Sequence, residues 1–218
     1  MREQSNGLRK MDKNGYYGSE REDIIALIPE SAKRILDVGC GFGLMGKRIK
    51  EKRNSAEVVG LEAEPNAADI AEKNLDMLIM GDVESAKLPF EHGHFDCIVY
   101  GEILEHLKDP WQVLKEHKNY LKKGGLCIAS MPNVSHYSII EGLLRDRWDY
   151  RDSGILDRTH LRFFTIDGIR KMFTDAGYVI SDEKRYVRAS RVKKFLGKLF
   201  GRRALHLLTE QYIIVGKA

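Results

Sequence analysis

Cysteine is scarce in this chain. Cys40, Cys97 and Cys127 are the three it has. They lack zinc-site spacing, and each lies in or just after a run that reads as a strand. Reduced thiols in a cytoplasmic protein are therefore expected, not a disulfide scaffold. Long apolar runs are also missing: none approaches the roughly 20 residues that span a bilayer. The opening Met1–Gly7 is polar and carries no apolar stretch of the signal-peptide kind. Internal repeats and low-complexity segments are absent too, which excludes solenoids and fibrous folds. What remains is an ordinary globular composition, 43% hydrophobic and 31% charged over 218 residues, enough for one sizeable core.

Charge is unevenly placed. Lys184–Arg203 holds nine Lys and Arg and no acid, so against a net charge of +4 the rest of the chain carries −5. A nucleic-acid surface spread over the molecule is excluded on that basis. Within the block, Val192, Phe195, Leu196, Leu199 and Phe200 recur at helical spacing, with Lys193, Lys194 and Lys198 off the stripe. This predicts a basic amphipathic insertion over about 187–205. Its apolar face either packs on the body or a second subunit, making a homodimer, or lies through 191–203 on an anionic membrane.

Elements alternate along the rest of the chain. An N-terminal helix is expected over about 18–28. Strands are expected at Arg34–Val38, Glu57–Leu61, Met77–Met80 (short and buried), Phe95–Tyr100 and Leu126–Met131. Helices are expected near Leu44–Lys52, from Pro65 to about Asn74, and from the Asp109-Pro110 start to about Leu121. Gly124-Gly125 is read as a break before the fifth strand. Thr165 caps a helix that Gly177 ends, and strands near Tyr178–Lys184 and Gln211–Val215 close the chain. Short apolar strands separated by helices imply an α/β fold: a Rossmann-like doubly wound sheet, mostly parallel with an antiparallel C-terminal strand, helices on both faces. One domain over 1–218 is expected. Residues 133–164, too long for an ordinary connection, read as a lid-like insertion. In such sheets ligands sit beyond the carboxyl ends of the strands.

Two features stand at those ends. Ile35–Gly43 runs from strand through a glycine-rich turn into a helix, and glycines let the backbone turn sharply and a ligand come close. Gly41–Gly46 also matches G-x-G-x-x-G. Glu62 ends the second strand, where an acid can accept hydrogen bonds from both hydroxyls of a ribose. Together they favour an adenosine-containing ligand, with a nicotinamide cofactor and S-adenosyl-L-methionine both open at this point.

A family resemblance enters on these residues. Ile35–Gly43 resembles the first motif of class I S-adenosyl-L-methionine-dependent methyltransferases. Gly81–Glu84, Leu88-Pro89-Phe90, Phe95–Val99, Glu102–Pro110 and Leu121–Gly125 resemble the following motifs in order. The resemblance implies a bound S-adenosyl-L-methionine, with Asp37 near the methionine moiety and Gly39, Cys40, Gly41 and Gly43 around it. It also implies Glu62 and Ala63 at the ribose, Asp82 and Val83 at the adenine, and Gly101 at the cofactor's edge. Gly154–Thr165 is similar to a bacterial subgroup associated with glycosyltransferases and cell-surface polysaccharide pathways. Glu102–Pro110 and Met131-Pro132-Asn133 are similar to ubiquinone O-methyltransferases. The expected function is methyl transfer to an oxygen or nitrogen of a sugar-containing or other small-molecule acceptor, with a phenolic quinone precursor as the alternative. A nicotinamide oxidoreductase is disfavoured by Asp82, Leu88-Pro89-Phe90 and the closing strand pair. A non-catalytic cofactor-binding domain is disfavoured by the polar cluster after the fourth strand.

A hydroxyl nucleophile needs its proton removed. Glu102, Glu105 and His106 fall at i, i+3 and i+4 and would share one face of a helical turn. They can be read as ligands for a divalent cation, as a setting for His106 as a lone base, or as helix-start carboxylates beside a hydrogen-bonded histidine. No metal is assigned on this pattern. His160, Glu102 and His106 are the catalytic candidates. His136, Arg158 and Arg162 are the acceptor-binding candidates, the two arginines suiting a phosphate or carboxylate or equally tying the lid to the acidic body. Tyr16 and Tyr17 either close over the cofactor or pack the first helix.

Overall fold

A computed structural model of the chain describes residues 20–187 and 202–218. Tyr16, Tyr17 and most of the basic stretch, including Val192 to Phe200, lie outside the described residues, so the expectations for them are not addressed.

Seven strands form one sheet in the order β3-β2-β1-β4-β5-β7-β6. In chain order the elements are α1 (Glu22–Ile25), β1 (Arg34–Val38), α2 (Leu44–Lys52), β2 (Glu57–Glu62), α3 (Pro65–Ala71), β3 (Met77–Met80) and β4 (Phe95–Gly101). They continue with α4 (Pro110–His117), β5 (Leu121–Pro132), α5 (Tyr137–Leu144), α6 (Ile166–Asp175), β6 (Val179–Tyr186), α7 (Arg202–Leu208) and β7 (Gln211–Lys217). β1 to β5 pair in parallel, and β7 runs antiparallel between β5 and β6. Two helical caps are as their sequences imply: Asp109 accepts from the Gln112 N–H and Thr165 from the Gly168 N–H.

The central strands are apolar on both faces because both faces are covered. Along β1, Ile35 packs with Ile24, Ile25, Met45 and Ile49 on one side. Its neighbour Leu36 packs with Tyr100, Leu114 and Phe173 on the other. Both are fully buried. The strand order reverses between β1 and β4, so a crevice opens beyond their carboxyl ends.

Several boundaries differ from the sequence expectation. β3 is not buried: Met77 and Met80 are 39% and 66% exposed, because β3 is an edge strand that pairs with β2 alone. Gly124-Gly125 does not end the chain's extended run. β5 begins at Leu121 and absorbs the pair in a register shift opposite Phe95–Cys97. The N-terminal helix is a single turn that still buries Ile24 and Ile25, and Ile28 just after it is buried as well. Residues 133–164 contain a helix, α5, before an irregular stretch.

Candidate functional site

The chain leaves β1 through a turn whose geometry needs glycine. Gly39 has φ +70°, and a Cβ there would lie 2.8 Å from Ile103. Its N–H donates to the Leu61 carbonyl at 2.8 Å. Gly41, also at positive φ, donates its N–H to Glu62 Oε2 at 2.8 Å. The N–H groups of Ala63 and Glu64 donate to Glu62 Oε1 at 3.0 and 2.9 Å. Three backbone donors thus hold one buried carboxylate at the mouth of the crevice. Gly43, by contrast, caps α2, and a Cβ on it would press on Ala71 in α3 at 3.1 Å.

Asp37, at the end of β1, is 2% exposed, and its Oδ2 has no hydrogen-bond partner. Burial, with the nearby charge of Glu62, raises its carboxyl to about pH 7, against the pull of Arg21. A buried acceptor left this way suits a donor supplied by a ligand.

These residues line a cavity of about 510 Å³. Asp37, Gly39, Cys40, Gly41, Glu62, Ala63, Gly101, Glu102, His106 and His160 all face it; Gly43, Asp82, Val83, His136, Arg158 and Arg162 do not. Asp82 instead accepts the Glu84 N–H at 2.9 Å, and Val83 is buried in the core.

The far end of the cavity is built from the turn after β4 and from the insertion. Glu102 has φ +61° and precedes the short 3₁₀ turn Leu104–His106, so it does not share a face with Glu105 and His106. It accepts instead from Arg21 Nη1 at 3.1 Å and Gln211 Nε2 at 2.7 Å. The three-residue face expected from i, i+3, i+4 spacing is therefore corrected: it presumes an α-helix that this backbone does not form. Its place is taken by His160. Glu105, His106 and His160 each offer a ligand-type atom, all within 4.8 Å of one another, and the two imidazole centroids are 4.8 Å apart.

Backbone bonds bring them together. Leu161 and Arg162 donate their N–H groups to the Glu105 carbonyl at 2.8 and 3.0 Å. His106 Nδ1 is 3.2 Å from the Thr159 carbonyl, and His160 Nδ1 is 3.0 Å from the Ile155 carbonyl. A carbonyl can only accept, so both Nδ1 atoms carry hydrogen and both Nε2 atoms carry the lone pair in the neutral rings. Burial, with the neighbouring charge of His160, lowers His106 to about pH 4, so it is neutral near pH 7. Glu105 is 1% exposed with both carboxylate oxygens unpartnered, and burial pushes its carboxyl well above the usual range.

The acceptor-side arginines are corrected. Arg162 donates to the Lys108 carbonyl, at 3.0 Å from Nε, and lies over the Trp111 ring. Arg158 pairs with Asp152 at 2.8 Å on the surface. His136 caps α5, 2.8 Å from Ser138 Oγ. Each of the three is committed to local structure. Among the described residues, the cation that does face the cavity is Arg21, which the sequence reading missed. It bonds Ser130 Oγ at 3.0 Å as well as Glu102. Set among Glu20, Glu22 and Asp23, it looks like one more surface charge, and no sequence signal marks it. Among the described residues around the cavity, eight acidic side chains face one guanidinium.

Over residues 13–183 the chain matches the methyltransferase domain family. The chain belongs to that family. It is a class I S-adenosyl-L-methionine-dependent methyltransferase. The ubiquinone biosynthesis O-methyltransferase of Cereibacter sphaeroides is 29% identical over 171 residues, covering 76% of this chain and 68% of that protein. The demethylmenaquinone methyltransferase of Thermotoga maritima is 28% identical, covering 82% and 84%. A SAM-dependent methyltransferase of Archaeoglobus fulgidus, 15% identical, shares the fold with a TM-score of 0.64, covering 95% of this chain and 98% of that one. The methyltransferase's own residues fit the cofactor. The turn leaves room for a ligand, Glu62 is fixed where a ribose can meet it, and Asp37 offers a buried oxygen lacking a donor.

Proposed function

We propose that this methyltransferase methylates a hydroxyl oxygen on an uncharged small acceptor, a phenol of the quinone-precursor kind. The observation that carries the reading is the sign of the cavity. Among the described residues, eight acidic side chains against Arg21 disfavour a phosphate or carboxylate acceptor, and both arginines expected to bind one are turned to other partners. Ile103, Ile155 and Pro132 add apolar wall suited to a ring. The relatives that act in ubiquinone and menaquinone biosynthesis favour the same acceptor class. A sugar hydroxyl, the other acceptor expected from sequence, rests on the resemblance of Gly154–Thr165 alone.

When bound, S-adenosyl-L-methionine supplies an activated methyl group and a neutral sulfur leaving group, so the protein's work is alignment, exclusion of water and handling of one proton. Glu62 and the N–H groups that hold it fix the ribose, Asp37 offers its carboxylate to a donor, and Arg21 holds Glu102 and Ser130 in place beside them. His106 and His160, whose Nδ1 atoms are held by backbone carbonyls, are the groups positioned to draw the proton from the acceptor hydroxyl. The segment Asp152–Asp157 lines that end.

The test is formation of S-adenosyl-L-homocysteine by the purified protein with a panel of catechols, monophenols, sugars and amines. Methylation of catechol-type phenols is expected. Turnover confined to sugars or to anionic acceptors overturns the reading.

A further inference from the structure

We infer that the acidic lining of the cavity sorts the cofactor from its product by charge. The methyltransferase is built to hold S-adenosyl-L-methionine, a sulfonium cation, more tightly than S-adenosyl-L-homocysteine, a neutral thioether. Asp157 and Glu210 are the specificity-determining residues for that choice. The inference rests on the cofactor and not on the proposed phenol acceptor.

The two molecules share their amino and carboxylate groups, so they differ by one methyl group and one positive charge. On transfer, the bond from methyl carbon to sulfur breaks and its electron pair stays on sulfur. The methyl carbon bonds the acceptor oxygen, and the hydroxyl proton leaves to water. Nothing is oxidised or reduced. What the cavity releases after turnover therefore carries one positive charge fewer than what it took up.

The charges on the lining are unevenly cancelled. Glu102 pairs with Arg21 at 3.1 Å and Asp152 with Arg158 at 2.8 Å. Among the described residues, neither Asp157 nor Glu210 forms an ion pair. Asp157, 7% exposed, accepts from the Thr159 N–H and hydroxyl at 2.8 and 2.6 Å. Against the cost of burial, these two bonds hold its carboxyl below the usual range, so it keeps its charge. Glu210 is placed by its backbone. Its N–H donates to the Tyr186 carbonyl at 2.9 Å, and its carbonyl accepts from the Asn133 N–H at 2.8 Å. Neutral donors and backbone bonds thus fix where the two carboxylates stand and leave their negative charge on the cavity wall.

An acidic wall alone attracts solvent cations as readily as a ligand. A second observation points to a bound molecule: Asp37, on the same wall, is 2% exposed and its Oδ2 lacks a partner. Arg21 does not fill that place, because its guanidinium is spent on Asp23, Glu102 and Ser130.

Across a cavity of about 510 Å³, on the order of 10 Å wide, one unit charge changes the affinity for another by about threefold to fivefold at a dielectric between those of a protein surface and of water. Two uncancelled carboxylates acting together are therefore enough to reverse the order in which a charged and a neutral ligand leave.

The experiment measures the affinities of S-adenosyl-L-methionine, S-adenosyl-L-homocysteine and sinefungin, whose protonated amine replaces the sulfonium, by calorimetry on the purified full chain. The two cationic ligands are expected to bind about fivefold or more tightly than the neutral one. Asp157→Asn and Glu210→Gln keep the side-chain shape and remove the charge. Each is expected to weaken both cationic ligands by about threefold. Homocysteine affinity is expected to stay unchanged, which also checks the folding of each variant. A parent that binds all three ligands equally, or the neutral one most tightly, overturns the inference. So does a pair of variants that weaken all three ligands alike, or none. No readout needs an acceptor, so failure to methylate a phenol sinks only the acceptor reading.

Discussion

Gly41 donates its backbone N–H to the Glu62 carboxylate at 2.8 Å, so the glycine turn after β1 and the acid ending β2 are one unit. With Ala63 and Glu64 donating to the other oxygen, the carboxylate is fixed before any cofactor arrives. Glu62→Ala therefore removes both a ribose acceptor and the tie that shapes the turn. S-adenosyl-L-homocysteine binding is expected to weaken by about 1–3 kcal/mol, the usual cost of lost charged hydrogen bonds. Isothermal calorimetry checks this, and unchanged affinity would displace Glu62 from the cofactor.

Gly39→Ala places a Cβ at positive φ and 2.8 Å from Ile103. Strained backbone of this kind costs on the order of 1–3 kcal/mol, and Ile103 must also move. A lower unfolding temperature together with weaker cofactor binding is expected. A variant as stable as the parent would mean that the turn is looser than its contacts indicate.

The carboxyl of Asp37 carries a pH signature. Its ordinary value of 3.8 is raised to about 7 in the folded chain, by burial and by Glu62. The folded state therefore holds a proton that the unfolded chain has released, and stability contributed by this group is lost as pH rises from 3.8 toward about 7. Asp37→Asn should flatten that part of the curve, with a gain of up to about 4 kcal/mol at neutral pH for a shift of this size. Cofactor binding runs the other way: the donors of the methionine group want the ionised form, so affinity should rise through pH 7 in the parent and stay flat in Asp37→Asn. Denaturant melts and calorimetry across pH distinguish the two trends, and parallel curves for parent and variant would remove Asp37 from both roles.

Arg21→Ala takes away the guanidinium that lowers both Asp37 and Glu105. The pH at which S-adenosyl-L-homocysteine affinity rises should move upward, and Glu102 loses its ion pair. Arg21→Lys should restore part of the shift. No movement of the pH profile in Arg21→Ala would make Arg21 a structural tie for α1 alone.

The fold was legible because double-sided burial writes itself as continuous apolar runs. Ile35-Leu36 and Val58-Val59 read as inner strands, and Leu44–Lys52 between two turn signals was read with its observed ends. The same logic misread β3, where Met77–Met80 is just as apolar but lies at an edge. At one end of the cavity, Asp37, Gly39, Gly41 and Glu62 do line one wall, since they are neighbours in sequence or end adjacent strands, while Gly43, Asp82 and Val83 do not. The acceptor end was not legible. Helical spacing put Glu102 beside Glu105 and His106, whereas a residue at φ +61° lies outside that helix, and His160 is brought beside them from 54 positions beyond His106 by backbone bonds that no side-chain pattern announces. Arg158 and Arg162 were legible as charges that could meet an acceptor or equally tie the insertion to the body, and the sequence did not decide between the two.

The two ends of the cavity also differ in what holds them. The cofactor end is made of strand termini in the interior of a parallel sheet. The histidine end depends on the Leu161 and Arg162 N–H groups meeting the carbonyl of Glu105, and on a stretch, 145–163, in which Leu156 is the one buried hydrophobic residue. Such a stretch opens at a lower free energy than the sheet does. A state in which this end has opened while the sheet end stays formed is therefore expected. Faster amide hydrogen exchange at Leu161 and Arg162 than in β1 and β4 is its signature, and the fraction of time spent closed sets an upper limit on turnover that no change at the sheet can raise.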